Sequence, residues 1–270
     1  MTHTWRLLTT PPARGAWNMA VDEAILESSG RGESLPTLRL YAWTPACLSL
    51  GVAQPHADVD LPRLRAHGWD AVRRITGGRA ILHTDELTYS VAGLAENPIL
   101  TGGVLESYNR LAKALLRAVT DLGMSVEMKE GKSDGGTSNP VCFEVPSTYE
   151  ITVNGKKLIG SAQARRKDVV LQHGSLPLTG DLTRITQALV FADESARAEA
   201  AQRLLARAAT VQSALGAGVD WEAAARAMVR AFESELGITF ERGELSAVEK
   251  SRAEELVREK YDHPGWMERV

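Results

Sequence analysis

Tyr149-Glu150-Ile151-Thr152-Val153-Asn154-Gly155-Lys156-Lys157-Leu158-Ile159 decides the fold class. Apolar and polar residues alternate before Asn154-Gly155, with the period of a half-buried strand. Asn-Gly suits a type I′ turn, because both central residues of that turn take positive φ. The stretch therefore reads as an antiparallel hairpin. With a two-residue loop, Lys157 pairs with Thr152 and shares its face of the sheet. A hairpin among alternating helix and strand patterns excludes a purely parallel sheet. The expected class is α/β or α+β, with mixed strands.

Working outward, residues 169–178 read as a further strand, and 130–140 (EGKSDGGTSNP) as a mobile polar surface loop. Upstream, residues 4–8 read as a strand and 18–27 (NMAVDEAILE) as a helix. Asn18, Asp22 and Glu23 then fall near a helix start, where capping and the helix dipole explain them. Residues 38–43 and 47–51 read as paired or neighbouring strands around the Thr44-Pro45 break. Residues 61–67 look helical, 71–74 and 87–91 extended, and 105–122 form the clearest amphipathic helix. From about residue 181 the pattern is mostly helical, notably over 196–209, 221–236 and 246–261. Without an internal repeat or an abrupt shift in composition, a single domain over 1–270 is expected, mainly helical in its C-terminal part.

The 270 residues are 44% hydrophobic and 24% charged, an ordinary globular balance. A net charge of -3 gives no electrostatic footprint for nucleic acid. No apolar run approaches the roughly 18 residues of a membrane span, and residues 1–10 lack a signal-peptide layout. Cys47 and Cys142 are too few for a disulfide framework and lack metal-ligand spacing, and no histidine pairing suggests zinc. A cytoplasmic enzyme with reduced thiols, without nucleic-acid or membrane partners and without a bound metal, fits these features.

Cys142, in Ser138-Asn139-Pro140-Val141-Cys142-Phe143-Glu144, borders the polar loop, where a thiol can meet solvent and act as a thiolate nucleophile. The plainer alternative is a small buried hydrophobe, which suits Cys47 better. Lys157 is the cation that can lower a nearby thiol's pKa, hold an oxyanion or take a proton from an amine. The alternative for it is a solvated hairpin lysine. Arg73-Arg74-Ile75-Thr76-Gly77-Gly78-Arg79-Ala80 offers adjacent glycines for close backbone approach and arginines for phosphate, or else a simple turn. Gly160-Ser161-Ala162-Gln163 offers small residues, either to wall a narrow channel or to pack closely. His83 and His173 lie near these two segments as bases, wall donors or structural histidines.

Taken together these segments resemble a known superfamily. Arg73-Arg74-Ile75-Thr76-Gly77-Gly78-Arg79-Ala80-Ile81-Leu82-His83, followed by Glu86-Leu87-Thr88-Tyr89-Ser90, resembles the signature of the lipoate–protein ligases and octanoyltransferases. Gly155-Lys156-Lys157-Leu158-Ile159-Gly160-Ser161-Ala162-Gln163 resembles its lysine motif, which implies Lys157 as the family's lysine. The Cys142 segment through Pro146-Ser147-Thr148-Tyr149, together with Leu171-Gln172-His173-Gly174-Ser175, resembles the cysteine-dependent octanoyltransferases typified in Gram-positive bacteria. The 18–25 helix resembles that branch too, and Lys260-Tyr261 is a weaker echo. The likeness departs from the ATP-using ligases. Arg79 stands where they tend to carry a third glycine, and Thr84-Asp85-Glu86-Leu87 where they tend to have Asp-x-Gly-Asn.

The resemblance implies a mixed sheet flanked by helices, as in the biotin and lipoate protein ligases. It implies Cys142 as the acyl-thioester nucleophile with Lys157 beside it. It also implies an acyl and pantetheine channel built by Arg73, Gly77, Gly78, His83, Gly160, Ser161, Ala162, His173 and Gly174. The implied donor is octanoyl-acyl carrier protein. The implied acceptor is a lysine of the glycine cleavage H protein or another lipoyl domain, and no cofactor is required. The alternatives are an ATP-dependent lipoate–protein ligase large subunit and an octanoyl amidotransferase between lipoyl domains.

Overall fold

The computed structural model of the protein describes residues 3–130 and 149–270. Cys142 and residues 131–140 of the loop expected at 130–140 lie outside the described residues. The first half of the chain runs β1 (His3–Thr9), α1 (Gly15–Gly30), β2 (Thr37–Tyr41), β3 (Cys47–Leu50), α2 (Leu61–Ala66), β4 (Asp70–Arg73), β5 (Ile81–His83) and β6 (Glu86–Leu94). Then come α3 (Val104–Asp121), β7 (Val126–Glu130), β8 (Tyr149–Val153), β9 (Lys156–Arg166) and β10 (Val169–Pro177). A 3-10 segment, Leu182–Ala188, leads into α4 (Glu194–Arg207), α5 (Val211–Leu215), α6 (Trp221–Leu236), β11 (Ile238–Arg242), α7 (Ala247–Leu256) and α8 (Pro264–Met267).

Among the described residues the main sheet has eight strands in the order β11-β1-β2-β6-β10-β9-β8-β7. Its β1 runs parallel to both β2 and β11, whereas every pairing from β2 to β7 is antiparallel, so the sheet is mixed. A smaller sheet, β4-β3-β5, stands beside it. The side-chain period of two divides the main sheet cleanly. Leu38, Leu40, Tyr89 and Val91 face α3 and α6 and pack with Leu111, Leu115, Met228 and Phe232. The opposite face packs on α1, joining Tyr41, Ala92 and Leu171 to Met19, Ala20 and Ala24. A polar row crosses that second face. Arg39, Ser90, His173 and Ala162 are successive register partners on β2, β6, β10 and β9.

The hairpin forms as read. Thr152 pairs with Lys157, and Asn154 and Gly155 sit at φ 50° and 75°. One irregularity follows at once, because Ile151 pairs with Ile159 while its neighbour Thr152 pairs with Lys157. The extra residue, Leu158, makes a β-bulge, and Leu158 and Ile159 both enter the α3/α6 core. Lys157 is thereby placed on the opposite face, the one it shares with Gly160 and Ala162.

Three expectations are corrected. Residues 38–43 and 47–51 do not pair: β2 lies in the main sheet, while β3 pairs with β4 and β5. The chain switches sheets across the Thr44-Pro45 break. Helix α1 begins at Gly15, so Asp22 and Glu23 are buried mid-helix residues rather than cap-region ones. Residues 238–242, taken as part of a helical tail, form β11 and extend the sheet edge beside β1. Gly237, at φ 61°, ends α6 in a left-handed conformation and releases the chain into that strand. No helix among the described residues is long and apolar enough to cross a membrane.

Candidate active site

A pocket opens between the α1-facing side of the main sheet and the small sheet, with about 420 Å³ of space counting its mouth. Gly160, Ser161 and Ala162 of β9 and His173 and Gly174 of β10 form one wall, with Ser49, Arg74, Gly78 and His83 opposite. Close approach, not chance, selects the glycines here. A Cβ on Gly174 would stand 2.5 Å from the Gly160 carbonyl oxygen and 2.7 Å from Tyr89. A Cβ on Gly51, which follows β3, would lie 1.9 Å from the Gly78 carbonyl oxygen, and Gly78 itself takes φ +89°.

Arg74 organises the wall opposite β9 and β10. Buried at 4% exposure, it donates through Nη2 to the carbonyls of Gly77 and Arg79 at 2.8 Å each, so it shapes the glycine loop from within. Two hydrogen-bond relays start from the same guanidinium. In the first, Arg74 Nε donates to Thr76 Oγ1 at 3.1 Å, and Thr76 Oγ1 lies 2.7 Å from His173 Nε2. The His173 ring then reaches Asp22 through Nδ1 at 3.3 Å. In the second, Arg74 Nη1 donates to Ser49 Oγ at 3.1 Å, and Ser49 Oγ lies 2.8 Å from His83 Nε2. His83 Nδ1 then meets Glu86 Oε1 at 2.6 Å. Each relay runs guanidinium, hydroxyl, imidazole, carboxylate.

The carboxylates differ in their company. Burial alone would raise the pKa of Asp22, but the Arg39 guanidinium, with His173 and Ser90, more than offsets it and keeps Asp22 ionised. Arg39 Nη1 and the Tyr41 hydroxyl donate to it at 2.7 and 2.9 Å. Glu86 is likewise held below the ordinary carboxylate value despite burial, chiefly by its electrostatic attraction to the His83 ring and the hydrogen bond from it. Thr88 and Ser175 also donate to its Oε1, at 2.5 and 2.7 Å. With both carboxylates ionised and able only to accept, each imidazole donates from Nδ1 and leaves Nε2 to accept the hydroxyl proton. Burial pushes His173 below the usual histidine value, against the pull of Asp22. Trp43 stacks on His83 at 3.9 Å and donates to Thr88 at 2.8 Å, which fixes the ring plane.

The structure thus brings Gly78, His83, Gly160, Ser161, Ala162, His173 and Gly174 around one space. Gly77 belongs to the same loop through its carbonyl. Arg73 is placed elsewhere: its guanidinium is spent on the carbonyls of Gly51, Gln54 and Met267, at 2.9, 2.6 and 2.6 Å. Neighbouring residues at a strand end point to opposite sides, and it is Arg74 that meets the pocket. Cys47 is fully buried, and desolvation, with Asp70 adding to it, pushes its thiol well above the usual value. That describes a packing residue. Lys157 is 5% exposed, and its carbonyl accepts from the Ala209 amide at 3.0 Å. Lys260 and Tyr261 bond Glu23 on α1 at 2.6 Å each and pin the C-terminal segment there.

Ser49 and Glu86 escaped sequence reasoning as site groups, Arg74 was read only as a phosphate contact or part of a turn, and the pairing of Asp22, read as a helix-start residue, with Arg39 was missed. A usable signal existed for the last two. An aspartate that ends the run Met19-Ala20-Val21-Asp22 and an arginine inside the apolar strand Thr37-Leu38-Arg39-Leu40-Tyr41 each demand a buried partner of opposite sign. No group of three or more metal-binding side chains occurs among the described residues.

A mixed sheet flanked by helices matches the fold of solved lipoate–protein ligases. The bi-partite lipoate protein ligase of Thermoplasma acidophilum superposes with TM-score 0.81 at 26% identity, covering 100% of this chain and 98% of that one. A lipoate-protein ligase A bound with ATP gives TM-score 0.79 at 26% identity, with both chains fully covered. The family model of the lipoyl protein ligase A/B catalytic domain matches residues 14–233, and the chain belongs to that family. Among curated proteins it is 43% identical to the octanoyltransferase LipM of Moorella thermoacetica, over 98% of each chain. It is 34% identical to the octanoyltransferase LipM of Clostridioides difficile, over 95% of this chain and 96% of that protein. The chain is an enzyme, an acyltransferase.

Proposed function

We propose that this enzyme moves an octanoyl group from the thioester of an acyl carrier protein to the lysine of a lipoyl domain, by way of a thioester on Cys142. The glycine cleavage H protein and E2 subunits are the acceptor class. The observation that carries the reading is the pocket wall of Gly160, Ser161, Ala162 and Gly174, in a chain 43% identical over nearly its whole length to an octanoyltransferase. Side chains this small leave a slot that suits an unbranched acyl chain and its thioester carbonyl.

The Cys142 thiolate attacks the octanoyl carbonyl, the C–S bond to the carrier breaks, and the carrier's sulfur leaves as a thiolate that takes a proton from water. The lipoyl-domain amine then attacks the acyl-enzyme, and the cysteine sulfur leaves as the amide forms. Sulfur serves both steps, since a thiolate attacks and departs readily. Lys157, carried by the bulge to the face of Gly160 and Ala162, lowers the thiol's pKa as a nearby ammonium and stabilises the oxyanion. Gly77, Gly78, His83 and His173 line the thioester's path.

The test is intact mass after mixing with octanoyl carrier protein. One octanoyl adduct cleaved by neutral hydroxylamine, as thioesters are and oxygen esters are not, is expected on wild type and none on Cys142→Ala. An adduct mapped to Cys47 overturns the assignment. Modification of a lipoyl domain from lipoate and ATP, but not from the octanoyl carrier, overturns the transfer reading in favour of a ligase. Lys157→Ala slows alkylation of Cys142 near neutral pH if the lysine acts on the thiol.

A further inference from the structure

Ser49, His83 and Glu86 have the geometry of a nucleophile, its base and the base's orienting carboxylate. Ser49 Oγ stands 2.8 Å from His83 Nε2, and His83 Nδ1 stands 2.6 Å from Glu86 Oε1. A Ser-His-acid array is recognised by such distances and roles, on any fold. We propose that Ser49 is a second acyl-accepting nucleophile in this pocket, and that the Ser49-His83-Glu86 array gives the enzyme a hydrolytic activity toward medium-chain acyl thioesters. The proposal rests on the pocket being the acyl site, and it does not depend on Cys142.

Four features separate this array from an ordinary buried network. Ser49 and His83 both line the pocket, so the nucleophile faces the space where an acyl carbonyl would lie. Arg74 Nη1 donates to Ser49 Oγ, which leaves the hydroxyl proton directed at His83 and favours the alkoxide. The ring is held rigid by Trp43 stacked 3.9 Å away. Thr88 and Ser175 donate to the Glu86 oxygen that His83 also meets, which fixes the carboxylate for its orienting role.

The parallel array from Thr76 shares the Arg74 bond but not the other advantages. Thr76 is not on the pocket wall, the His173–Asp22 contact is longer at 3.3 Å, and the charge of Asp22 is matched by Arg39 at 2.7 Å. One arm of Arg74 supports a wall, and the other supports a nucleophile.

The reaction balances without a further reactant. Ser49 Oγ bonds to the acyl carbon as its proton passes to His83 Nε2, and the C–S bond breaks. The departing thiolate takes that proton and leaves as a thiol. Water then attacks the Ser49 ester and gives a proton to His83 Nε2. The C–Oγ bond breaks, Oγ recovers the proton, and the fatty acid leaves as a carboxylate with one proton released.

The test treats the full chain, wild type and Cys142→Ala, with octyl fluorophosphonate, a probe that phosphonylates activated serines stably. Labelled peptides are then mapped by mass. Labelling of both proteins at Ser49 is expected, abolished by Ser49→Ala and slowed about tenfold or more by Glu86→Gln, which keeps the side chain's shape. Hydrolysis of S-octanoyl-N-acetylcysteamine by Cys142→Ala is expected to fall about 100-fold when Ser49→Ala is added. Labelling at another serine, no labelling, or equal hydrolysis by the single and double variants overturns the proposal. A loss of octanoyl transfer to lipoyl domains in Cys142→Ala, with Ser49 labelling kept, separates this activity from the transferase. A transferase that survives Cys142→Ala, with Ser49 still labelled, refutes only the Cys142 reading.

Discussion

Arg39 of β2 and Asp22 of α1 form an ion pair of 2.7 Å in which each side chain is 1% exposed. It joins the central sheet to the helix that covers the pocket side, and through Asp22 it reaches His173. Asn18 completes the clasp, accepting from Arg39 through its side-chain and backbone oxygens at 2.7 and 3.0 Å. Removing one partner leaves the other charge buried and uncompensated. Asp22→Asn is therefore expected to lose about 3–5 kcal/mol of unfolding free energy in urea titrations. The double variant Asp22→Asn, Arg39→Met is expected to recover part of that loss, because no bare guanidinium remains.

The same network sets how stability responds to acid. His173 has a folded pKa below its ordinary 6.5, because burial outweighs the attraction of Asp22. Between the two pKa values the unfolded chain binds more protons, so stability rises with pH there and falls as pH drops below about 6.5. Asp22, whose folded pKa lies under its ordinary 3.8, contributes stability that is present above that value and lost on further acidification. Melting temperatures from pH 7.5 to 4.5 are expected to fall, and His173→Gln to flatten the upper part of the decline.

Arg73 and Arg74 are expected to separate in kind. Arg73→Ala strands three carbonyls, two of them in buried bonds, and is expected to cost about 3 kcal/mol of stability, since bonds to a charged donor are the stronger ones. Its folded fraction should keep the wild-type rate of thiol alkylation at Cys142. Arg74→Lys preserves the charge but not the fork that holds Gly77, Arg79, Ser49 and Thr76, and is expected to lower octanoyl transfer by about tenfold or more.

The two cysteines give a direct chemical contrast. Iodoacetamide at neutral pH is expected to label Cys142 in the folded enzyme and to spare Cys47, whose thiol is buried and held protonated. Both should react in denaturant. Peptide mapping under the two conditions checks the assignment.

Local chemistry carried the hairpin: Asn154-Gly155 dictates a turn whose geometry fixes the Thr152–Lys157 pair, and the structure contains that pair. The long amphipathic helix at α3 was equally plain, since its apolar stripe meets the sheet directly. Partner choice was less legible. Consecutive strands usually pair, yet β2 and β3 part at Thr44-Pro45 into different sheets. The pocket's polar half was legible only in fragments. Ser49, Arg74, Glu86 and Asp22 come from four separate elements or loops, and their meeting depends on strand order rather than on any local spacing. His83 and His173 were visible as histidines, but their carboxylates were not. The start of α1 was misread because no side chain caps its first turn, so Asp22 and Glu23 took the place of a cap.

The bulge at Leu158 works as a half-period phase shift in the β9 strand. Upstream of it the strand's odd-numbered Lys157 lies on the pocket side, and downstream the even-numbered Gly160 and Ala162 do. Deleting Leu158 would bring the strand back into step and swing Lys157 toward the apolar layer beneath α3 and α6. Insertions or deletions of a single residue between the hairpin turn and Gly160 are thus expected to abolish octanoyl transfer, while paired ones keep the phase. A chain alignment of active enzymes should show this segment varying in composition and holding its parity.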